Sequence, residues 1–204
     1  MIVVVDYRMG NVGSILNMFN KVGAKAVVSN NPQEILRASK LVLPGVGAFD
    51  SGMCNLKALG LIEVLHQKVL EEKTPILGIC LGTQLMTKRS EEGTGYGLGW
   101  IDADTVRFRS PNGSGLRVPH MGWNEVCPVK GSRLLSGLDT PARFYFVHSY
   151  HLVCYQETDT LLTSNYGYEF VAAVERGNIL GVQFHPEKSH KFGLQLLRNF
   201  ASLS

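Results

Sequence analysis

The 204-residue chain predicts an α/β fold: a mostly parallel sheet with helices on both faces, and antiparallel strands added in the C-terminal half. Three observations carry that reading. As far as Ser90, apolar β-rich runs alternate with helical patterns, the rhythm of βαβ units and of a parallel sheet buried on both faces. From Ile101 to Gln183, short alternating runs are punctuated by Pro-Asn-Gly, Lys-Gly-Ser and Arg-Gly-Asn, the turn chemistry of hairpins. Between Lys191 and Leu203, Phe192, Leu196, Leu197 and Phe200 fall at helical spacing, which predicts a closing helix.

The first predicted strand is Ile2 to Tyr7, a continuous β-rich run. Val12, Ile15, Leu16, Phe19 and Val22 then recur with a helical period, and Ala26 to Ser29 reads as the second strand. Asn31-Pro32 starts a helix that runs through Ala38, because proline suits the first helical turn. Lys40 to Leu43 is a third strand, leading into Pro44-Gly45-Val46-Gly47. A longer helix places Leu61, Ile62, Leu65, Val69 and Leu70 on one face before a strand at Ile76 to Ile79. Glu91 to Gly99 is a glycine-rich loop.

The length suits one sizeable core, so a single domain spanning 1–204 is expected. The formal charge of +3 comes from mixed acidic and basic residues without a block of one sign, which argues against a nucleic-acid or membrane-surface protein. Met1 is followed directly by Ile2-Val3-Val4-Val5, with no basic leader and no run of membrane-spanning length. A soluble, cytoplasmic protein is expected. Cys54, Cys80, Cys127 and Cys154 form no CxxC pair and no zinc-like spacing, so free thiols are expected in a reducing compartment and no metal is called for.

Cys80 stands apart. In Gly78-Ile79-Cys80-Leu81-Gly82-Thr83-Gln84 it ends an apolar strand, sits between two glycines and opens a helix. That is the form of a nucleophile elbow, whose sharp turn crowds its neighbours and so requires glycine beside the nucleophile. A helix N-terminus also favours negative charge on the sulfur. A cysteine nucleophile needs a base, a group to orient the base, and donors for the oxyanion. Val182-Gln183-Phe184 is an apolar strand ending in His185-Pro186-Glu187. His185 is therefore presented at a strand end, with Glu187 close enough to bond its far ring nitrogen. His148 follows an aromatic strand without a carboxylate close behind and reads as pocket-lining, while His66 and His190 read as surface residues. The elbow helix offers the Leu81 N–H to an oxyanion, and the Pro44 to Gly47 loop offers a second donor. No GxxxxGK[ST] and no GxGxxG after the first strand is present, so the glycines do not cradle phosphate.

The elbow, the preceding Pro44-Gly45-Val46-Gly47 loop and the late His185-Pro186-Glu187 resemble the class I glutamine amidotransferases in order and spacing along essentially the whole chain. Within that family, Pro119-His120-Met121-Gly122-Trp123-Asn124, Phe146-Val147-His148-Ser149-Tyr150 and His185-Pro186-Glu187-Lys188-Ser189 resemble the glutaminase subunits of imidazole glycerol phosphate synthases. The resemblance implies a flavodoxin-like α/β domain that hydrolyses glutamine through a γ-glutamyl thioester, without a cofactor, and delivers ammonia to a (β/α)₈-barrel synthase subunit in a heterodimer. It implies Cys80 as nucleophile, His185 as base and then acid, Glu187 as orienter, and Leu81 and Val46 as oxyanion donors. It also implies Gly47, Gln84, Glu92, Ser149 and Tyr150 at the substrate, and Asn11, Pro119, His120, Trp123 and Asn124 toward the partner. Asp6-Tyr7-Arg8-Met9 and Val12-Gly13-Ser14 depart from the usual pattern at the presumed partner face. Two alternatives therefore stand beside this one: a paralogous glutaminase that supplies ammonia for sugar amidination in surface-polysaccharide synthesis, and a stand-alone cysteine hydrolase.

Overall fold

The computed structural model describes residues 1–110 and 115–203. At its centre lie β1 (Ile2–Val5), β2 (Ala26–Ser29), β3 (Lys40–Gly45), β4 (Ile76–Cys80) and β12 (Ile179–Val182). They are ordered β2-β1-β3-β4-β12, and every neighbouring pair is parallel. Strand alternation divides the core in two. Ile2, Val4 and Val42 join the apolar layer under α1 (Val12–Lys21) and α6 (His190–Ser202). Val3, Val5, Leu41 and Leu43 join the layer under α2 (Pro32–Leu36), α3 (Phe49–Ala58), α4 (Leu61–His66) and α5 (Leu81–Leu85). Burial on both faces explains why these strands are almost continuously apolar.

Capping fixes where two of the helices begin. Asn11 Oδ1 accepts the Ser14 N–H at 3.1 Å, and Asn31 Oδ1 accepts the Gln33 N–H at 2.9 Å with Pro32 in the first turn. The first strand stops at Val5 instead of Tyr7, because Asp6 Oδ1 turns back to accept the Arg8 N–H at 3.0 Å. Helix α3 is not visible in the periodicity, since Gly52 interrupts its apolar face. That glycine is what allows close packing, for a Cβ there would meet Leu85 Cδ1 at 3.0 Å. The single long helix expected around Leu61 to Leu70 is α4 followed by a π-helical turn over Gln67–Glu71.

The C-terminal half adds β6 (Ala103–Arg107), β7 (His120–Pro128), β8 (Ala142–His148), β9 (Tyr150–Cys154), β10 (Thr160–Asn165) and β11 (Glu169–Arg176). The sheet continues from β12 as β11-β10-β7-β8, all antiparallel, with β9 and β6 attached beside β11 and the short β5 (Arg89–Ser90) beside β6. Two details differ from the expectation of antiparallel additions, the smaller being that β5 pairs with β6 in parallel. β12 is antiparallel to β11 but parallel to β4, which joins the two halves in one 12-stranded sheet. Its four residues are all buried, as a central parallel strand requires. Arg176 pairs with Ile179, so Gly177-Asn178 forms the predicted hairpin turn, with Gly177 at φ +61°. The turn expected at Pro111-Asn112-Gly113 lies outside the described residues.

The described cysteines are free thiols. Among the described residues, no helix is long and apolar enough to cross a membrane.

Candidate active site

Cys80 is the last residue of β4 and immediately precedes α5, with φ 53° and ψ −110°. Such a backbone is costly for a residue with a Cβ and persists only where the surroundings enforce it. The enforcement comes from close backbone packing. A Cβ on Gly82 would lie 1.7 Å from Leu43 O, and one on Gly78 would lie 2.8 Å from Thr83 Cα. Gly181, the register partner of Gly78 on β12, leaves room for the Thr83 methyl, which would be 2.5 Å from a Cβ. Thr83 Oγ1 then donates to Val182 O at 2.8 Å. The first turn of α5 is thus seated on paired glycines, and Cys80 is lifted to the sheet end, where it is 7% exposed.

His185 arrives from the neighbouring strand. Its N–H donates to Tyr145 O at 2.9 Å, and Ser189 Oγ donates to His185 O at 2.6 Å, so the backbone is pinned on both sides of the ring. His185 Nδ1 and Glu187 Oε1 are 2.8 Å apart, with both side chains almost fully buried. Burial favours the neutral ring, but Cys80 and the Glu187 carboxylate favour the imidazolium more strongly, and the His185 pKa is pushed up to about 10. No hydrogen bond of good geometry satisfies the buried Nε2. The sulfur is the neighbour that, with Glu187, favours the charged ring, so the two are poised to exchange a proton.

His148 is excluded from the base role by its partners. Its Nδ1 is 2.7 Å from Tyr150 O and its Nε2 is 3.0 Å from His120 Nδ1. Burial holds His148 far below its ordinary value, at about 3, and burial likewise lowers His120 to about 4. Both rings are neutral at physiological pH, and Phe108 packs edge-on against each. His66, read as a surface residue, is instead half-buried with its ring edge-on to Trp100. His190 is exposed, as expected, and stacks on Trp123.

A cleft of about 330 Å³ opens over Cys80. Val46, Gly47, Leu81, Gln84, Glu92, Ser149 and Tyr150 all line it. The structure therefore brings together the nucleophile, the oxyanion candidates and every residue expected at the substrate. Glu92 and its loop are held by the first turn of α3: Glu92 Oε2 accepts the Phe49 N–H at 2.9 Å, and Asp50 accepts the Thr94 and Gly95 N–H groups at 2.9 and 3.2 Å. Those backbone donors keep the Asp50 carboxyl below its ordinary range. Gln84 Nε2 donates to Tyr150 O at 3.3 Å and to Gln183 Oε1 at 3.2 Å.

The residues expected at a partner face separate into two groups. Asn11 is exposed, Pro119 is exposed at the cleft rim, and Trp123 is 40% exposed beside Met121 at 62%. His120 is 3% exposed and faces inward, so its surroundings are the histidine cluster, with half-buried Asn124 between that cluster and the surface. Gln183 is the residue that sequence reasoning passed over. The signal was a polar side chain within the apolar run before His185.

The Glutamine amidotransferase class-I family matches residues 3–203. "Imidazole glycerol phosphate synthase subunit HisH 2" of Pseudomonas aeruginosa is 54% identical over 203 residues, covering 100% of both chains. The protein of the same name from Methanococcus maripaludis is 55% identical over 200 residues, covering 98% of both. Among solved structures, a glutamine amidotransferase superposes with a TM-score of 0.70 at 19% identity, covering 98% of this chain and 99% of that one, a likeness of fold alone. With a family match and half-identical relatives that both span the chain, this protein belongs to the class I glutamine amidotransferases and, within them, to the HisH family.

Proposed function

We propose that the chain is a single class I glutamine amidotransferase domain, the glutaminase subunit of an imidazole glycerol phosphate synthase. It hydrolyses glutamine and passes ammonia to a (β/α)₈-barrel synthase subunit in a heterodimer. The observation that carries this reading is the grouping of Cys80, which lines the cleft, with His185, whose Nδ1 is bound by Glu187 and whose charged form is favoured by Cys80.

The reaction follows from those positions. Cys80 Sγ attacks the side-chain amide carbon of glutamine while its proton resides on His185 Nε2. The oxyanion of the tetrahedral adduct is met by the N–H groups of Leu81 and Val46. Collapse breaks the carbon–nitrogen bond, and the His185 proton leaves with the nitrogen as ammonia. A water then adds to the γ-glutamyl thioester, giving a proton to His185, and the second collapse releases glutamate and returns that proton to sulfur. Glu187 holds the ring and stabilises its charged form in both halves. Gln84 and Glu92, both lining the cleft, suit the amino-acid head group of glutamine. Exposed Val46, at 47%, together with Met121 and Trp123, offers an apolar surface for the partner around the cleft mouth.

An electrophilic glutamine analogue tests the reading directly. Stoichiometric labelling of Cys80, lost in Cys80→Ala, together with glutamine hydrolysis that rises strongly when the barrel subunit is added, is the expected result. Full-rate hydrolysis by the isolated chain overturns partner gating, and an unreactive Cys80 overturns the enzyme assignment.

A further inference from the structure

Gln183 takes no part in the chemistry above, yet it is 1% exposed and carries an uncharged polar group into the centre of the site. Its place follows from register. β12 pairs with β4 as Gly181 with Gly78 and Val182 with Ile79, so the next residue along, Gln183, comes level with Cys80. Gln183 and His185 lie just beyond the end of β12, and Phe184 between them stacks on Phe144 at 3.9 Å. Gln183 Nε2 lies 3.8 Å from Cys80 Sγ, within reach of a soft sulfur acceptor.

The orientation of that carboxamide is dictated by backbone groups some distance away. Tyr150 O is a carbonyl and only accepts, so the Gln84 atom facing it at 3.3 Å is the NH₂ nitrogen. The second hydrogen of the same nitrogen requires an acceptor on Gln183 at 3.2 Å, which turns Gln183 Oε1 toward Gln84 and Nε2 toward the sulfur. Tyr150 O is in turn held by His148 Nδ1–H at 2.7 Å. His148 Nε2 must then accept from His120 Nδ1–H at 3.0 Å, and His120 Nε2 from Asn124 Nδ2 at 3.3 Å. Asn124 cannot flip, because Nδ2 donates to Asn165 O at 2.8 Å and Oδ1 accepts the Glu125 N–H at 2.9 Å. Two runs of donors meet at Tyr150 O, which accepts from both His148 and Gln84; from Gln84 the second run passes through Gln183 to Sγ.

The sulfur needs such a partner. The elbow surrounds Cys80 with Gly78 and Gly82, which have no side chains to fix its rotamer, and a displacement of about 1 Å from the reacting geometry costs about a hundredfold in rate. We propose that Gln183 is a positioning residue for the nucleophile, donating Nε2–H to Cys80 Sγ and favouring the anionic sulfur while His185 handles the proton. The proposal rests on the reading of Cys80 as the nucleophile of glutamine hydrolysis.

The test uses Gln183→Leu, which removes the donor, and Gln183→Glu, which keeps the acceptor for Gln84 but replaces the donor with a carboxylate. Two readouts are taken: the pH profile of Cys80 alkylation by iodoacetamide, mapped to the Cys80 peptide, and glutamine hydrolysis in the complex with the barrel subunit. The other titratable groups facing the sulfur are His185 with Glu187 behind it, Tyr7, which burial keeps protonated, and His148, which burial keeps neutral. They are common to all three proteins. The alkylation midpoint is expected to move to higher pH in both variants, further in Gln183→Glu, with kcat about tenfold lower or more and KM within about twofold. An unmoved alkylation profile in both variants overturns the proposal, even where kcat falls together with the melting temperature. Wild-type protein that alkylates at Cys80 yet hydrolyses no glutamine in the complex overturns the functional reading instead.

Discussion

Cys80 adopts a left-handed backbone that a residue with a Cβ reaches only at a cost of about 1–3 kcal/mol. The same geometry carries its sulfur to the sheet end, where it lines the cleft, so the strain and the placement have one cause. Two histidines lie near it and their environments assign them different work. His185 has a carboxylate on one nitrogen and an unpaired second nitrogen, whereas His148 has both nitrogens committed and is held neutral. His185→Ala is accordingly expected to lower kcat for glutamine by about a thousandfold or more. Glu187→Gln, whose amide oxygen still accepts from Nδ1, is expected to cost about 10- to 100-fold. Steady-state assays of the complex check both, and a larger loss for Glu187→Gln than for His185→Ala contradicts the assignment. This much was legible from residues alone, because His185 and Glu187 are two apart and strand ends present their side chains to the same edge. Gln183 was not legible: nothing local distinguishes a polar residue that faces a nucleophile from one that faces a loop.

At the scale of the elements, the elbow works because strand, turn and helix are packed backbone to backbone. Gly82→Ala forces a Cβ to within 1.7 Å of Leu43 O, where no side-chain rotation relieves the clash. It is expected to destabilise the fold by about 3 kcal/mol or more. Gly13→Ala, in the exposed first turn of α1 with only Asn11 Oδ1 as near as 3.9 Å, is expected to stabilise by up to about 1 kcal/mol. Denaturant unfolding of the two variants side by side measures the contrast, and equal effects contradict the account of the elbow. Apolar runs and periodicity located β1 to β4, α1 and α6, and the Asn31-Pro32 start signal located α2. Periodicity missed α3, whose apolar face is broken by Gly52 and completed only by Leu85 from α5.

For the molecule as a whole, buried histidines give the stability a pH dependence with two slopes of opposite sign. His148 has a folded value of about 3 against an ordinary 6.5, so between those values the unfolded chain binds a proton that the folded chain refuses. The stability this neutral ring contributes is complete above pH 6.5 and declines as pH falls toward 3, by about 1.4 kcal/mol per pH unit for one proton. His120 and His151, also lowered by burial, act in the same direction. His185 is raised to about 10, so its contribution is complete below pH 6.5 and is lost as pH climbs through 10. Urea unfolding at pH 6.5 and 5.5 is expected to show a smaller acid loss for His148→Gln than for wild type, because the amide takes no proton. An identical slope in the two proteins contradicts the neutral assignment.

By itself, the sequence determined the α/β class, the elbow at Cys80, the pairing of His185 with Glu187 and the family. Each of these is written within a few residues, where backbone sterics and strand or helix period act locally. Only the tertiary structure decided that β12 lies parallel to β4. That one contact sets Gln183 level with Cys80, and His185 two residues further on, across more than a hundred residues of intervening chain. Only it decided that His120 and His148 are buried, neutral and hydrogen-bonded in one direction toward the cleft. Register between distant strands and the burial of a polar side chain depend on what packs against them, and no local pattern encodes that.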